Sequence, residues 1–458
     1  MAPQMIPWMG VGSVAVVAVL VLASGVASSS WSRTPRVFVA LLAACIAPGI
    51  AAADQETSMG RQLPQPTGPL PVGRVTVHWS DTSRAEPLAV DRGPRELMVD
   101  IWYPADAASG APARYFGSSA FDEAQSADRL RVLLRSAYES IRGGHVLTHA
   151  IEGVPFARSV LRAPVLIFSD GGGEARETYS AQLEDLASHG YVVAAISHTH
   201  EAVLTVFPDG RRVPLAPKRW PRPTTTGIEG LPPAQEANPD RLRWWADDIR
   251  FVLNELTRVE GPSSGSSLAG RLDLSRVGAF GHSAGGQAAA HACQIEQRLR
   301  ACLNQDGLSA FAPYYLNGDG WGMDQAFMLI VRNTPRELPT KEDLAALGMT
   351  LSQANDLLSR LDTRQDATLR NTGRGAYRVR LEAAATTHAD FTDLPFLQST
   401  TPDEAETRAR IIGTVRSVTR AFFDKTLKGL EVPFLNGHVA TAFVEGVQKF
   451  EPANRPRQ

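Results

Sequence analysis

Ser283 stands in Gly281-His282-Ser283-Ala284-Gly285, a G-x-S-x-G run that follows the apolar Val277–Phe280 and leads into the helix-prone Gln287–Cys293. A strand that turns into a helix over a single residue holds that residue in a strained conformation. Small residues two before and two after it let the two backbones approach. Such a turn lifts the serine hydroxyl out of the fold. The hydroxyl is a poor nucleophile at neutral pH, so attack on an acyl carbon needs a base within hydrogen-bond reach and a carboxylate to orient that base. A second match, Gly261-Pro262-Ser263-Ser264-Gly265, lies in a polar Ser/Gly run with no strand before it, and it reads as a loop.

Of ten histidines, His388 in Thr386-Thr387-His388-Ala389-Asp390-Phe391 follows the last predicted strand, where a base belongs if the chain order is Ser, acid, His. Asp306 ends the strand after the elbow helix, 23 residues beyond Ser283, and is read as the acid. Glu337, past the end of the following strand, is the alternative. For the oxyanion, the expected donors are the N–H of Ala284, just after the nucleophile, and that of Gly172 in the glycine-rich loop 170–173; losing one such donor typically costs about 3 kcal/mol. Asp170 opens that loop. A carboxylate beside a developing oxyanion is unfavourable, so Asp170 is expected to turn away and hydrogen-bond the loop backbone. Gly171, His198 and His282 are candidate walls of a substrate pocket, with His282 equally readable as packing beneath the turn.

The elements that must position these groups follow from periodicity. Arg74–Ser80 and Glu96–Tyr103 alternate as an antiparallel pair. Tyr115–Val160 shows no clean strand, and Ala127–Ile141 within it has helical spacing, which suggests a helical insertion at about 115–160. Ala163–Ser169 and Tyr191–Ser197 are continuous apolar runs, as in strands buried on both faces, with a helix over Thr178–Ser188 between them closed by Gly190. His198–Asp240 reads as a long proline-rich loop. Asp240–Val259 is amphipathic at Leu242, Trp245, Ala246, Ile249, Val252, Leu253 and Leu256. Strands are expected at Ala301–Gln305, Ala326–Arg332 and Tyr377–Ala384. The last two flank a helical insertion (336–374) with a capping box at Thr350 and Gln353. Thr401-Pro402 opens a final helix. The result is an α/β class fold: a mostly parallel eight-stranded sheet with helices on both faces and a helical cap, the α/β-hydrolase layout.

The chain has 458 residues, and 46 basic against 48 acidic residues give a net charge of -2, so nothing in its charge favours a nucleic-acid partner. The element order argues for one domain over 74–450, with a lead-in at 54–73 and a tail at 451–458. Residues 1–53 read as a targeting segment. Val37–Ile50 is a short apolar core after Arg33 and Arg36, and Ala51-Ala52-Ala53 is a small-residue cleavage site, so export with maturation near Asp54 is expected. Alternatives are a membrane anchor at Val11–Val26, which could equally lie upstream of the true start, and lipidation at Cys45 in Leu42-Ala43-Ala44-Cys45. Beyond Cys45 only Cys293 and Cys302 remain; they could form a disulfide or be two buried thiols.

The chain resembles the platelet-activating factor acetylhydrolases of the plasma and intracellular type II group and their dienelactone-hydrolase-like bacterial relatives. The resemblance rests on Val99-Asp100-Ile101-Trp102-Tyr103-Pro104, the 164–173 strand and loop, Asp185–Tyr191, Gly281–Gly286, Leu303-Asn304-Gln305-Asp306 and His388-Ala389-Asp390-Phe391, spanning about 97–395. It implies Asp306 over Glu337 as acid, and Gly172 and Ala284 as oxyanion donors. The family commonly carries a histidine where this chain has Asp170, and the insertion at 336–374 is a further departure. The expected function is an exported serine hydrolase of carboxylic esters, short-acyl and phospholipid-type esters leading. It would act through an acyl-enzyme, with no metal or organic cofactor, on a small-molecule or lipid ester, with transient membrane-surface contact. A peptidase or polyester hydrolase with the same three residues, and a hydrolase-like binding protein without turnover, are the rival readings.

Overall fold

The structure, a computed structural model, describes residues 62–89, 91–106, 110–116, 146–216, 239–307, 323–332, 350–437 and 441–452. The expected targeting segment at 1–53, the helix expected at Ala127–Ile141 and Glu337 lie outside them.

The expected antiparallel pair forms β1 (Val72–Ala85) and β2 (Pro94–Pro104), in register from Val72↔Pro104 to Asp81↔Arg95. Two short strands follow that were not expected, β3 (Pro112–Arg114) and β4 (Leu147–Glu152). β4 corrects the reading of 115–160 as free of strands. Its six residues have little pattern of their own, and pairing with β1 and β3 makes them a strand. Next come β5 (Ala163–Ser169), α1 (Ser180–Ser188) and β6 (Val192–Ser197). Gly190 sits just past α1 with φ +88°, a conformation glycine adopts without strain.

The proline-rich loop holds a hairpin, β7 (Leu204–Val206) and β8 (Arg212–Pro214). α2 (Pro239–Glu260) leads to β9 (Leu272–His282), α3 (Ala284–Ile295), β10 (Leu299–Gln305) and β11 (Ala326–Arg332). α4 (Leu351–Arg370) opens on the expected capping box: Thr350 Oγ1 accepts from Gln353 N–H, and Gln353 Oε1 accepts from Thr350 N–H. β12 (Ala376–Leu381), α5 (Pro402–Lys428) and β13 (Val444–Phe450) complete the order. Thr401 caps α5 and Pro402 fills its first turn.

One sheet of eleven strands runs β13-β12-β11-β10-β9-β5-β6-β2-β1-β4-β3. All eight expected strands are in it, and the count rises from eight because β3, β4 and β13 add short pieces toward its edges. From β6 through β5, β9, β10 and β11 to β12 the pairing is parallel, so these C-terminal strand ends share one edge.

Side chains alternate across the parallel strands. Val165, Ile167, Ala194 and Ile196 face Trp245, Ile249 and Val252 of α2, whereas Leu166, Phe168, Val193 and Ala195 face Leu183 of α1 and Phe422 of α5. Two buried faces explain why these strands read as unbroken apolar runs. The lead-in is docked rather than free on the surface. Leu63 is buried, Thr67 donates to Asp185, and Arg416 donates to the carbonyls of Pro64 and Gln65. Among the described residues no helix is long and apolar enough to cross a membrane.

Candidate active site

β9 ends at His282 and α3 begins at Ala284, so Ser283 alone makes the turn, with φ 55° and ψ -121°. A β-carbon on Gly281 would stand 2.5 Å from the Gly285 carbonyl carbon, and one on Gly285 would stand 2.1 Å from the Ser169 oxygen. Only glycine fits at either place. The strain is held by backbone bonds: Ser283 N–H donates to the Gln305 carbonyl at 2.9 Å, and Gln287 N–H to the Ser283 carbonyl at 3.2 Å. Asn304 Oδ1 accepts from Gly307 N–H at 2.8 Å and fixes the neighbouring turn, in which Asp306 also has positive φ, 51°. The second G-x-S-x-G run is a turn after α2, as expected.

His388 lies in a 3-10 turn (His388–Phe391) after β12, and its Nδ1 is 2.6 Å from Asp306 Oδ2. Arg332, at the end of β11, donates to the same oxygen through Nε at 2.8 Å. Burial pushes the Asp306 carboxyl up, but the hydrogen bonds from His388 and Arg332 outweigh it and hold it below the ordinary carboxylate range. Of the carboxylates on the His388 segment, Asp390 is engaged with Thr387 and Arg408 and Asp393 with Tyr115 and the Ala181 N–H, while Glu174, its pKa raised by burial, also feels the charge of His388. His388 is half-exposed, while Asp306 is nearly buried beneath it.

His282 is buried, its ring centroid 4.4 Å from that of His388 and stacked on Phe391. Tyr179 Oη accepts from Gly171 N–H at 3.0 Å and meets His282 Nδ1 at 2.9 Å. One hydrogen bond with the tyrosine thus fixes the ring of His282. Burial, then the nearby His388, lower its pKa to about 3, so it stays neutral. His282 is thus packing beneath His388 rather than pocket wall, and Gly171 has its N–H committed to Tyr179.

His198 corrects the sequence reading outright. It is fully buried, stacked on Trp245 at 4.1 Å, with Nε2 2.7 Å from Ser169 Oγ and Nδ1 2.8 Å from Asp248 Oδ2. This is a Ser-His-Asp chain in hydrogen-bond order, but no substrate could reach it. It ties the end of β5, where the glycine loop starts, to α2. Arg84 and Arg95 neutralise Asp248. Burial lowers the His198 pKa to about 4.

In the loop, Gly172 is exposed, and its missing side chain is covered by Arg241 of α2, whose Nη2 lies 2.5 Å from where a β-carbon would be. Arg241 also pairs with Glu201 at 2.5 Å. Ala284 N–H opens α3, where a helix leaves donors unpaired. Asp170 departs from expectation: it is fully buried and neither carboxyl oxygen meets a donor. Burial first, with Glu177 and Glu174 adding to it against Arg176, raises its pKa well above the ordinary carboxylate value, which disfavours a charge beside the oxyanion loop. Cys293 and Cys302 are joined in a disulfide between α3 and β10. Among the described residues no His, Cys, Asp and Glu group could hold a metal.

Sequence reasoning missed Arg332, Arg241 and the Ser169–His198–Asp248 chain. Arg332 carried a signal, as the cation ending the strand beside that of the acid; the other two depend on how α2 lies across the sheet.

A mostly parallel sheet flanked by helices, with a serine alone at the turn from β9 to α3, defines an α/β-hydrolase. Comparison with known proteins refines this. Residues 55–218 match the family model described as platelet-activating factor acetylhydrolase, isoform II. A protein of Arthroderma benhamiae named as a probable 1-alkyl-2-acetylglycerophosphocholine esterase is 27% identical over 270 residues, 54% of this chain and 58% of that protein. The platelet-activating factor acetylhydrolase of Bos taurus is 29% identical over 153 residues, 31% of this chain and 34% of that enzyme. The chain therefore matches less than two thirds of the length of these relatives. Among solved structures, a ferulic acid esterase from Streptomyces cinnamoneus superposes with a TM-score of 0.59 at 26% identity, covering 86% of this chain and all of that one. The chain has the α/β-hydrolase fold and, over part of its length, is similar to platelet-activating factor acetylhydrolases.

Proposed function

We propose that the protein hydrolyses carboxylic esters, with Ser283 as nucleophile, His388 as base and Asp306 as the carboxylate that orients it. The observation carrying this reading is the 2.6 Å contact between His388 Nδ1 and Asp306 Oδ2. It commits Nδ1–H to the carboxylate and leaves Nε2 free to take a proton. Ser283 Oγ bonds to the acyl carbon as its proton passes to His388 Nε2. The tetrahedral intermediate collapses, and the alkoxide leaves as alcohol with that proton. Water repeats the sequence on the acyl-enzyme, releasing the acid and restoring Ser283. The N–H groups of Gly172 and Ala284 stabilise the oxyanion in both halves.

The preferred substrates are short-acyl esters, phospholipid-type among them, by likeness to the acetylglycerophosphocholine esterase and acetylhydrolase. Likeness to the ferulic acid esterase over most of the chain supports a second reading, esters of aromatic acids. Export is part of the proposal: the Val37–Ala53 pattern favours it, and a disulfide between Cys293 and Cys302 suits an oxidising compartment.

The test is hydrolysis of p-nitrophenyl esters from acetate to decanoate, a 2-acetyl phosphocholine lipid and methyl ferulate, beside Ser283→Ala. Turnover of the acetyl esters, lost in Ser283→Ala, is expected. A preference for methyl ferulate would move the assignment to aromatic acids. No turnover and no labelling of Ser283 by an organophosphonate would overturn the enzyme reading.

A further inference from the structure

Away from the site, a cavity of about 440 Å³ opens between β1, β2, β3 and the β7–β8 hairpin. Ser283, Asp306, His388, Gly172 and Ala284 do not line it. One wall is apolar, with Met98, Phe116, Leu204, Val206 and Phe207; the floor is charged, with Arg74, Arg114, Arg176, Glu152 and Glu177. The volume is within the range of small-molecule sites, which join an apolar wall to a few placed polar groups.

Arg74 makes this more than a gap. It is 1% exposed, yet its guanidinium is poorly satisfied. Nη2 donates to the Arg114 carbonyl at 2.6 Å, and Nε makes a long ion pair with Glu152 Oε2 at 3.5 Å. Nη1 has no partner. A buried cation with unused donors is costly, and proteins normally pair it. Asp100 and Glu177 pair with Arg176 at 3.1 and 3.2 Å; their charges also act on Arg74, whose guanidinium carbon lies 5.8 Å from the Trp102 ring, yet Arg74 Nε and Nη1 stay without hydrogen bonds. Glu152 is half-exposed, and Arg114 is exposed at the cavity with no side-chain partner among the described residues.

We propose that this cavity is a second binding site, separate from the ester-cleaving site, for an organic anion with an apolar body. Its anionic head would sit against Arg114 at the mouth, drawn by the charge of the buried Arg74 guanidinium behind it, and its tail would lie along Met98, Phe116 and Val206. A carboxylate and a phosphate monoester share this chemistry.

The test is calorimetric titration of the full chain, with Ser283 blocked by an organophosphonate, using octanoate, octyl phosphate and, as the neutral control, 1-octanol. One-to-one binding of at least one anion is expected, with none of 1-octanol, and the tighter of the two anions names the head group. Arg74→Met should weaken binding at least tenfold. Because Arg74 is buried and that variant could fail to fold, Val206→Trp, which fills the cavity, and Arg114→Gln decide as well: the first should abolish binding and the second weaken it several-fold. If neither anion binds the blocked protein, or if binding is unchanged in both Val206→Trp and Arg114→Gln, the site is not there.

Discussion

Arg241 lies across Gly172, its Nη2 occupying the space a side chain there would need, with Glu201 and the face of Trp245 holding the guanidinium in place. One helix, α2, thus sets both the cover over the glycine loop and, through Asp248 and His198, the end of the strand that leads into it.

Replacing Gly172 by alanine should therefore push Arg241 aside and disturb the loop. We expect kcat/KM on p-nitrophenyl acetate to fall about 10²-fold, the scale of losing one oxyanion donor, with the fold retained by circular dichroism. Gly172→Ala combined with Arg241→Ala should recover part of the loss, since the two changes share one space. Full activity in Gly172→Ala would show that Arg241 yields its place without disturbing the loop.

Asp306→Asn should lower kcat by about 10³–10⁴-fold, because an amide no longer holds the required tautomer of the histidine, while Glu337→Gln should leave it unchanged. The reverse pattern would transfer the acid's role to Glu337. Steady-state kinetics on soluble variants decides.

Arg332→Met tests how the acid is kept ionised. Asp306 is held low by His388 and Arg332 against burial. A depressed carboxylate loses its charge only when the pH falls through its folded pKa, so removing a donor raises that pKa and brings the loss to higher pH. The acid limb of kcat/KM should move upward, with kcat near neutrality reduced less than tenfold. An unmoved limb would make Arg332 merely structural.

Stability should fall on acidification through the buried histidines. His198 has a folded pKa of about 4 because burial disfavours its cation, while an unfolded histidine titrates near 6.5. Between those values the unfolded chain binds more protons, so stability is full above about pH 6.5 and is lost as the pH drops toward 4. The cost of this one group is on the order of 3 kcal/mol. Urea denaturation at pH 7.5 and pH 4.5 should show the loss, and a smaller one in His198→Gln. Equal pH dependence in the two proteins would contradict it.

The Cys293–Cys302 disulfide closes a separation of nine residues, for which loop-closure entropy predicts about 2.5 kcal/mol. Both cysteines are fully buried, so the native protein should resist a mild reductant. The double change to alanine should lower the unfolding free energy by about that amount. Rapid labelling by a thiol reagent without denaturant would show that the bond is absent.

What could be read along the chain was whatever local pattern dictates. The central strands are apolar because both faces are covered, α2 shows its packing face at Trp245, Ile249 and Val252, and Thr350 and Thr401 announce the helices they cap. The Ser283 turn was legible because a strand must end, and a helix begin, around one small-flanked residue. β3, β4 and β13 were not legible: strands of three to seven residues depend on their partners, and Leu147–Glu152 is a strand because β1 lies beside it.

The sequence by itself determined the class of fold and the elbow turn around Ser283, since each depends on residues near one another. Only the tertiary structure decided which carboxylate meets His388, that His198 is buried, that Asp170 is buried with its carboxyl oxygens unpaired and that Arg241 covers Gly172. Each of these depends on distance and solvent exclusion between segments far apart in the chain, and neither quantity is written in local order.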